Sequence, residues 1–146
     1  MKILLDTNIL VYAYNKSSPN QKVAASIIKK SIQGELEAYI TSQVLYEMFA
    51  VITNPKRVEK PLPIEDAAEL CIKLWECNEI KKINPSRVTP IEVFKLAKSL
   101  KLCKAKVFDC CLAVAAKENG IDTIYTENVD DFKGYLFVKT WNPFEE

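Results

Sequence analysis

Short apolar segments alternate with longer amphipathic stretches along this chain. Residues 2–5 (KILL) form an apolar run suited to a short, fully buried strand. The segments 38–41 (AYIT) and 122–126 (DTIYT) predict two further strands, and 80–83 and 135–141 (YLFVKTW) are candidates for two more. The hydrophobic pattern therefore predicts up to five strands spread over the whole chain.

Helical periodicity fills the intervals between these strands. Helices are predicted from about Ile9, over 22–33 with Gly34 as the stop, from a Ser42 cap to about Asn54, over 65–76, from Pro90 to about Leu100, and from about Phe108 to Gly120. Because strands alternate with helices, we expect a three-layer α/β/α sandwich with a mainly parallel central sheet. The length of 146 residues predicts a single domain over 1–146.

A polar triplet, Asp6, Thr7 and Asn8, follows the first predicted strand directly. Ligands of open α/β sheets bind beyond the carboxyl ends of the strands, which is where Asp6 is expected to lie. The alternative is that one of the three residues caps the next helix. A cap needs only one such residue, and the triplet has three.

Two further acids occupy unusual positions in predicted helices. Glu47 falls at the margin of an apolar stripe in QVLYEMFAVIT, and the alternative is an ordinary boundary residue. Asp109 lies in VFDCCLAVAAKENG (107–120), which is apolar almost all round, so its carboxylate needs a partner, a metal ion or a role as helix cap. The segment 125–132 (YTENVDDF) adds Thr126, Asn128 and Asp131 after another strand, where the alternative is a simple turn.

The composition restricts the chemistry that these residues can perform. The chain has no His, which excludes Ser-His-Asp and Cys-His catalysis and histidine-based nucleases. Five cysteines without a C-x-x-C pair favour reduced thiols, and Cys110 and Cys111 are predicted to be packing residues. Carboxylates that converge without His suit Mg²⁺ or Mn²⁺, and such a site supports hydrolysis of phosphodiesters.

Charge and hydropathy add two expectations about partners and location. The net charge is +1, but Lys101, Lys104 and Lys106 lie in an acid-free segment that leads to Asp109. This segment is either a solvated surface or a contact for a polyanion such as RNA. No apolar run is long enough to span a membrane and no signal peptide is visible, so we expect a cytoplasmic protein without membrane contact.

Four segments in order, LLDTNIL, TSQVLYEMFAVI, VFDCCLAVAAKENG and IYTENVDDF, resemble the PIN domain family, particularly VapC-type toxin ribonucleases. The resemblance implies a metal-dependent endoribonuclease, commonly a homodimer, that an antitoxin protein inhibits. It implies that Asp6, Glu47 and Asp109 are the metal-binding and catalytic acids. The supporting residues it implies are Asn8, Thr126, and Asn128 or Asp131 at the fourth acidic position, since Asn128 stands where many members carry Asp.

Within this interpretation, Asp6 and Asp109 bind the principal Mg²⁺ or Mn²⁺, and Glu47 completes the site or orients the attacking water. The alternative function is a PIN-like module that binds RNA without cutting it. A haloacid-dehalogenase-type phosphatase would need an acid at Asn8, and a response-regulator receiver would need adjacent acids after the first strand. The chain has neither feature.

Overall fold

A five-stranded parallel sheet forms the centre of the protein in a computed structural model that describes residues 1–145. Its strands are β1 (Lys2–Leu5), β2 (Glu37–Thr41), β3 (Lys81–Ile83), β4 (Thr123–Tyr125) and β5 (Lys139–Trp141). The strand order is β3-β2-β1-β4-β5, and all four pairings are parallel. The central strand β1 is covered on both faces, since Ile3, Leu4 and Leu5 have no exposed surface.

Six helices pack in two groups around this sheet. They are α1 (Thr7–Tyr14), α2 (Gln21–Ile32), α3 (Ser42–Ile52), α4 (Ile64–Glu76), α5 (Thr89–Leu100) and α6 (Lys106–Glu118). Helix α1 contacts α2 and α3, and α3 contacts α4, whereas α5 packs against α6. The prediction of a three-layer α/β/α sandwich with a mainly parallel sheet is confirmed.

Helices α1 and α3 begin directly after two neighbouring parallel strands, β1 and β2. Both helices therefore start at the carboxyl edge of the sheet. The predicted cap of α3 was wrong by one residue, because the hydroxyl of Thr41 accepts the hydrogen bond from the Val44 N–H at 3.2 Å. Ser42 is the first helical residue, since the extended backbone of a cap falls at Thr41.

The predicted strand over 135–141 is wrong in its first half. Only Lys139–Trp141 forms β5, because its single partner β4 has just three residues to pair with. Turn hydrogen bonds occupy the preceding residues, from the Tyr135 N–H to the Phe132 carbonyl and from the Val138 N–H to the Tyr135 carbonyl. A 3-10 helix over Val129–Phe132 was not predicted.

Over residues 1–145, no helix has the length and apolar character needed to cross a bilayer.

All five cysteines are free thiols with different environments. Cys110 has no exposed surface, and its Sγ lies 3.8 Å from the Val93 carbonyl oxygen of α5. Cys111 is half-buried on the same helix, and burial raises the pKa of both thiols. A raised pKa keeps them protonated and unreactive, so their place in the α5–α6 contact is consistent with a packing role.

Replacing Cys110 with Ser should destabilise the fold. The change puts a hydroxyl into a fully buried, mainly apolar position, so we expect the free energy of unfolding to fall by about 1–3 kcal/mol. Urea denaturation under reducing conditions measures this value. Cys103→Ser is the matched control, because Cys103 is exposed and should change stability by less than about 0.5 kcal/mol. Equal effects of the two substitutions would contradict the packing role.

Candidate active site

An open cavity of about 970 Å³ lies at the carboxyl edge of the sheet, between the starts of α1, α3 and α6. The predicted site residues that line it are Asp6, Asn8, Glu47, Lys106, Asp109, Asn128 and Asp131. These residues come from four separate segments of the chain. The structure therefore brings the predicted acids to one place.

Asp6 ends the central strand and caps α1 at the same time. Its Oδ1 accepts a hydrogen bond from the Thr7 N–H at 2.7 Å. Its Oδ2 accepts from the Thr126 hydroxyl at 2.7 Å and from the Asn8 side-chain amide at 3.4 Å. The helix-cap interpretation of Asp6 is confirmed, and the two carboxylate oxygens have different partners. Its predicted role as a metal-binding acid stays a prediction.

Thr126 is a fully buried junction between the predicted supporting residues. While its hydroxyl donates to Asp6, the same oxygen accepts from the Asn8 amide at 3.3 Å and from the Asn128 N–H at 3.0 Å. The Asn8 Oδ1 accepts from the Glu127 N–H at 3.1 Å. Asn8 and Thr126 thus fix the segment after β4 against the start of α1.

Two side chains that sequence reasoning missed hold Glu47 on α3. The Thr7 hydroxyl donates to Glu47 Oε2 at 2.8 Å, and the Gln43 side-chain amide donates to Oε1 at 2.8 Å. Gln43 also reaches the Phe108 carbonyl of α6 at 3.5 Å. The i, i+4 spacing of Gln43 and Glu47 was a usable signal. Thr7 and Glu47 are 40 residues apart, and no spacing pattern connects them.

Asp109 lies in the first turn of α6, where the helix dipole favours a negative charge. It forms no capping hydrogen bond, so the cap interpretation of this residue was wrong. Burial raises its pKa to about 6, and the charges of Asp131, Asp6 and Glu47 add to the rise. Burial also raises the pKa of Asp6, against the hydrogen bonds from Thr126 and Thr7.

Asp131, in the 3-10 helix, supplies a further carboxylate to the cavity. Its charge is the strongest of the three carboxylate influences that raise the pKa of Asp109. Asn128 also lines the cavity, but its contribution to the site's hydrogen bonds is the backbone N–H that it donates to Thr126. Of these two residues, Asp131 is therefore the one whose charge acts on Asp109.

The donor set fits a hydrated hard cation. The oxygens of carboxylates and amides are ligands that Mg²⁺ and Mn²⁺ accept. Within residues 1–145, no three His, Cys, Asp or Glu side chains have the spacing needed to enclose one ion together. Mg²⁺ commonly keeps several waters and takes only one or two protein carboxylates. The cavity fits an ion held in that way.

The three lysines named from the sequence occupy different places. Lys106 is the first residue of α6 and lines the cavity together with Asp109. Lys101 and Lys104 are exposed in the connection between α5 and α6, each with a φ of 56°. The structure brings only Lys106 to the acids.

Asp109→Asn should flatten the pH dependence of stability in the metal-free protein. The pKa of Asp109 rises from its usual 3.8 to about 6 on folding, so the folded chain holds this proton more tightly. That stabilisation is fully present below about pH 3.8 and is lost as the pH rises through about 6. With chelator present, the free energy of unfolding of the unsubstituted protein should fall relative to the variant across this window. Urea denaturation of both proteins from pH 4 to 7 measures this difference. If the two free energies of unfolding change with pH in the same way, the raised pKa of Asp109 is contradicted.

Comparison with known proteins identifies the family. A model of the PIN domain family matches residues 3–135. Ribonuclease VapC24 of Mycobacterium tuberculosis is 30% identical over 139 residues, which cover 95% of this chain and 94% of that protein.

Two solved structures share the fold. VapBC-1 from nontypeable Haemophilus influenzae aligns with a TM-score of 0.70 at 18% identity, over 99% of this chain and 100% of that chain. VapBC2 from Rickettsia felis, bound to a DNA fragment from its promoter, aligns with a TM-score of 0.65 at 22% identity, over 97% and 100% of the two chains. The family match spans every acid described above, and the chain belongs to the PIN domain family.

Proposed function

We propose that this chain is a metal-dependent endoribonuclease that cuts RNA phosphodiesters and acts as the toxin of a toxin–antitoxin pair. The observation that carries the proposal is the convergence of Asp6, Glu47, Asp109 and Asp131 on one cavity at the carboxyl edge of the sheet. The names of the relatives support it, since VapC24 and VapC48 are both called ribonucleases.

Each acid has a separate task in the proposed reaction. When bound by Asp6 and Asp109, Mg²⁺ or Mn²⁺ would supply Lewis-acid stabilisation of the charge on the phosphodiester. Asp6 is already oriented by Thr126 and the Thr7 N–H, so its carboxylate needs no rearrangement. Glu47 is held by Thr7 and Gln43, and its remaining lone pairs can orient the attacking water.

Positive charge near the acids would hold the RNA backbone. Lys106 lines the cavity one turn before Asp109, in a position to contact a phosphate next to the cleaved bond. Lys101 and Lys104 would extend this contact along the connection between α5 and α6. Both side chains are exposed to solvent, as a contact with a polyanion requires.

Two protein partners belong to the proposal. The similarity to structures of VapBC complexes supports an antitoxin as the inhibitory partner. An apolar groove of about 470 Å³ between α5 and α6 supports a homodimer, because Phe94 and Phe108 line it and are 66% and 54% exposed. We expect the protein to act in the cytoplasm, on RNA.

Asp6→Asn and Asp109→Asn should each abolish cleavage while the protein stays folded. Both changes keep the side-chain shape and remove the charge that binds the cation, so we expect losses of at least about a hundredfold. The assay incubates each protein with a mixture of structured RNAs across a Mn²⁺ titration, with a chelator arm. Asp131→Asn should cost less activity, since Asp131 is more exposed than the other two acids.

Asp130→Asn is the matched control for these substitutions. Asp130 is exposed, pairs with Lys133 at 2.7 Å and lies outside the lining of the acidic cavity, so its loss should leave cleavage within about twofold. Full activity of the folded Asp109→Asn protein at every metal concentration would remove Asp109 from the mechanism. RNA binding by the unsubstituted protein without any cleavage would instead favour the non-catalytic PIN-like module.

Changing Lys101, Lys104 and Lys106 to Gln should weaken RNA binding and reduce its salt dependence. The logarithm of the RNA-binding constant falls as the logarithm of the salt concentration rises. Each lost contact to a single-strand phosphate makes this slope less steep by about 0.7. The matched control changes Lys22, Lys29 and Lys30, three exposed lysines of α2 outside the cavity. If the slope for the first variant equals that of the control, the segment is only a solvated surface.

A further inference from the structure

The cavity continues past the carboxylates into a groove between α1 and α3. Both helices start at the carboxyl edge, and each contributes one face to the lining. The lining residues include Asn8 and Tyr12 on α1 and Asn15 directly after this helix, and on α3 they run from Gln43 to Val51. At 1.5 Å per helical residue, the groove extends about 10–12 Å along the two helices from the carboxyl edge of the sheet.

The groove has an apolar wall at its far end and an exposed aromatic ring on α3. Ala50, Val51 and Val58 form the wall. Tyr46 also lines the cavity, and 72% of its surface is exposed. Tyr46 directly precedes Glu47 in the chain, so a molecule stacked on its ring would lie next to the acidic part of the cavity.

A well-anchored arginine, Arg57, directly precedes Val58 of the apolar wall. The turn after α3 is fixed by Asn54, whose side chain accepts from the Lys56 N–H and whose carbonyl accepts from the Arg57 and Val58 N–H groups. Val58 is 6% exposed and holds the turn to the core. Arg57 therefore enters the cavity lining from an ordered segment.

The charge of Arg57 is available for an anion. Within residues 1–145, none of the ion pairs involves Arg57. Its charge is felt at the Tyr12 hydroxyl, where it opposes the rise in pKa to about 12 that burial and Glu127 cause. Arg57 and Lys106 are the two cationic side chains of the lining and belong to different segments of the cavity wall.

We propose that Tyr46 and Arg57 form a subsite for one nucleotide of an unpaired RNA strand, with the base stacked on the Tyr46 ring and its phosphate bound by the Arg57 guanidinium. The inference rests on the proposed ribonuclease function and adds to it one nucleotide-binding position on α3 and the turn that follows it. Stacking on an aromatic ring needs a base face that is free, and pairing in a duplex covers both faces of internal bases.

The charge pattern favours RNA over a peptide in this groove. A strand that spans the cavity presents a phosphate at each nucleotide, which matches two cations in different parts of the wall. The guanidinium of Arg57 suits bidentate contacts with a phosphate. A peptide would need acidic residues at two matching positions to do the same.

Binding is measured without cleavage, so that the test does not depend on catalysis. All variants are made in the Asp109→Asn protein, with chelator present. The probes are a fluorescein-labelled 12-nucleotide single-stranded RNA of mixed sequence and a blunt duplex of the same length, followed by fluorescence anisotropy. Circular dichroism confirms folding, which the exposed positions of Tyr46 and Arg57 should leave unchanged.

We expect the single strand to bind at least about tenfold more tightly than the duplex. Tyr46→Ala should weaken single-strand binding about tenfold with less than twofold effect on the duplex, whereas Tyr46→Phe should keep the affinity because stacking does not need the hydroxyl. Arg57→Gln should make the slope of log K against log salt concentration less steep by about 0.7. Lys56→Gln is the matched control, because Lys56 precedes Arg57 but does not line the cavity, and its slope should not change.

The subsite would be overturned if Tyr46→Ala lost as much affinity for the duplex as for the single strand. It would also be overturned if Tyr46→Ala lost no affinity for the single strand. Unchanged binding in all variants would also overturn it and leave the groove to a peptide partner. The same substitutions in the protein with Asp109 intact separate this inference from the proposed function. Normal cleavage by these variants would contradict the subsite alone, whereas binding without cleavage by the unsubstituted protein would contradict the ribonuclease activity alone.

Discussion

The hydrogen bond from the Thr126 hydroxyl to Asp6 is the contact on which the rest of the site depends. A carboxylate at the end of a fully buried strand is tolerated only if donors surround it, and Thr126 is one of the three that do. The sheet register makes this contact, because Leu5 pairs with Tyr125 and the next residues on both strands are Asp6 and Thr126. A slip of one residue between β1 and β4 would separate them.

The remaining acids are positioned by contacts between elements that are distant in sequence. Thr7 connects the first turn of α1 to Glu47 on α3, and Gln43 connects α3 to the Phe108 carbonyl at the start of α6. Asp109 follows Phe108, so the same link places the third acid. The network fixes three helix starts relative to one strand end, which is the kind of support that a preorganised charged site requires.

Local patterns predicted the elements and the acids, but not the contacts between them. Asp6 was predictable because the strand is short and its polar end abrupt. The choice between Thr41 and Ser42 as cap was not, since both residue types cap helices well and only the extended backbone of Thr41 decides. The short β5 depends on the three-residue length of its neighbour β4, and the role of Thr7 depends on a partner 40 residues away. Both are consequences of tertiary structure.

A net charge of +1 conceals a strong local imbalance, because five carboxylates and two cations line the cavity. Burial raises the pKa of Asp109, and repulsion from the neighbouring carboxylates raises it further. These carboxylates repel an RNA phosphate, and a bound cation would weaken that repulsion. Under the proposed function, binding of the metal ion and binding of RNA are therefore coupled, and by linkage each must strengthen the other by the same factor. The acids that make the site catalytic would then also make RNA binding depend on the metal ion, while Arg57 and Lys106 provide the attraction that does not.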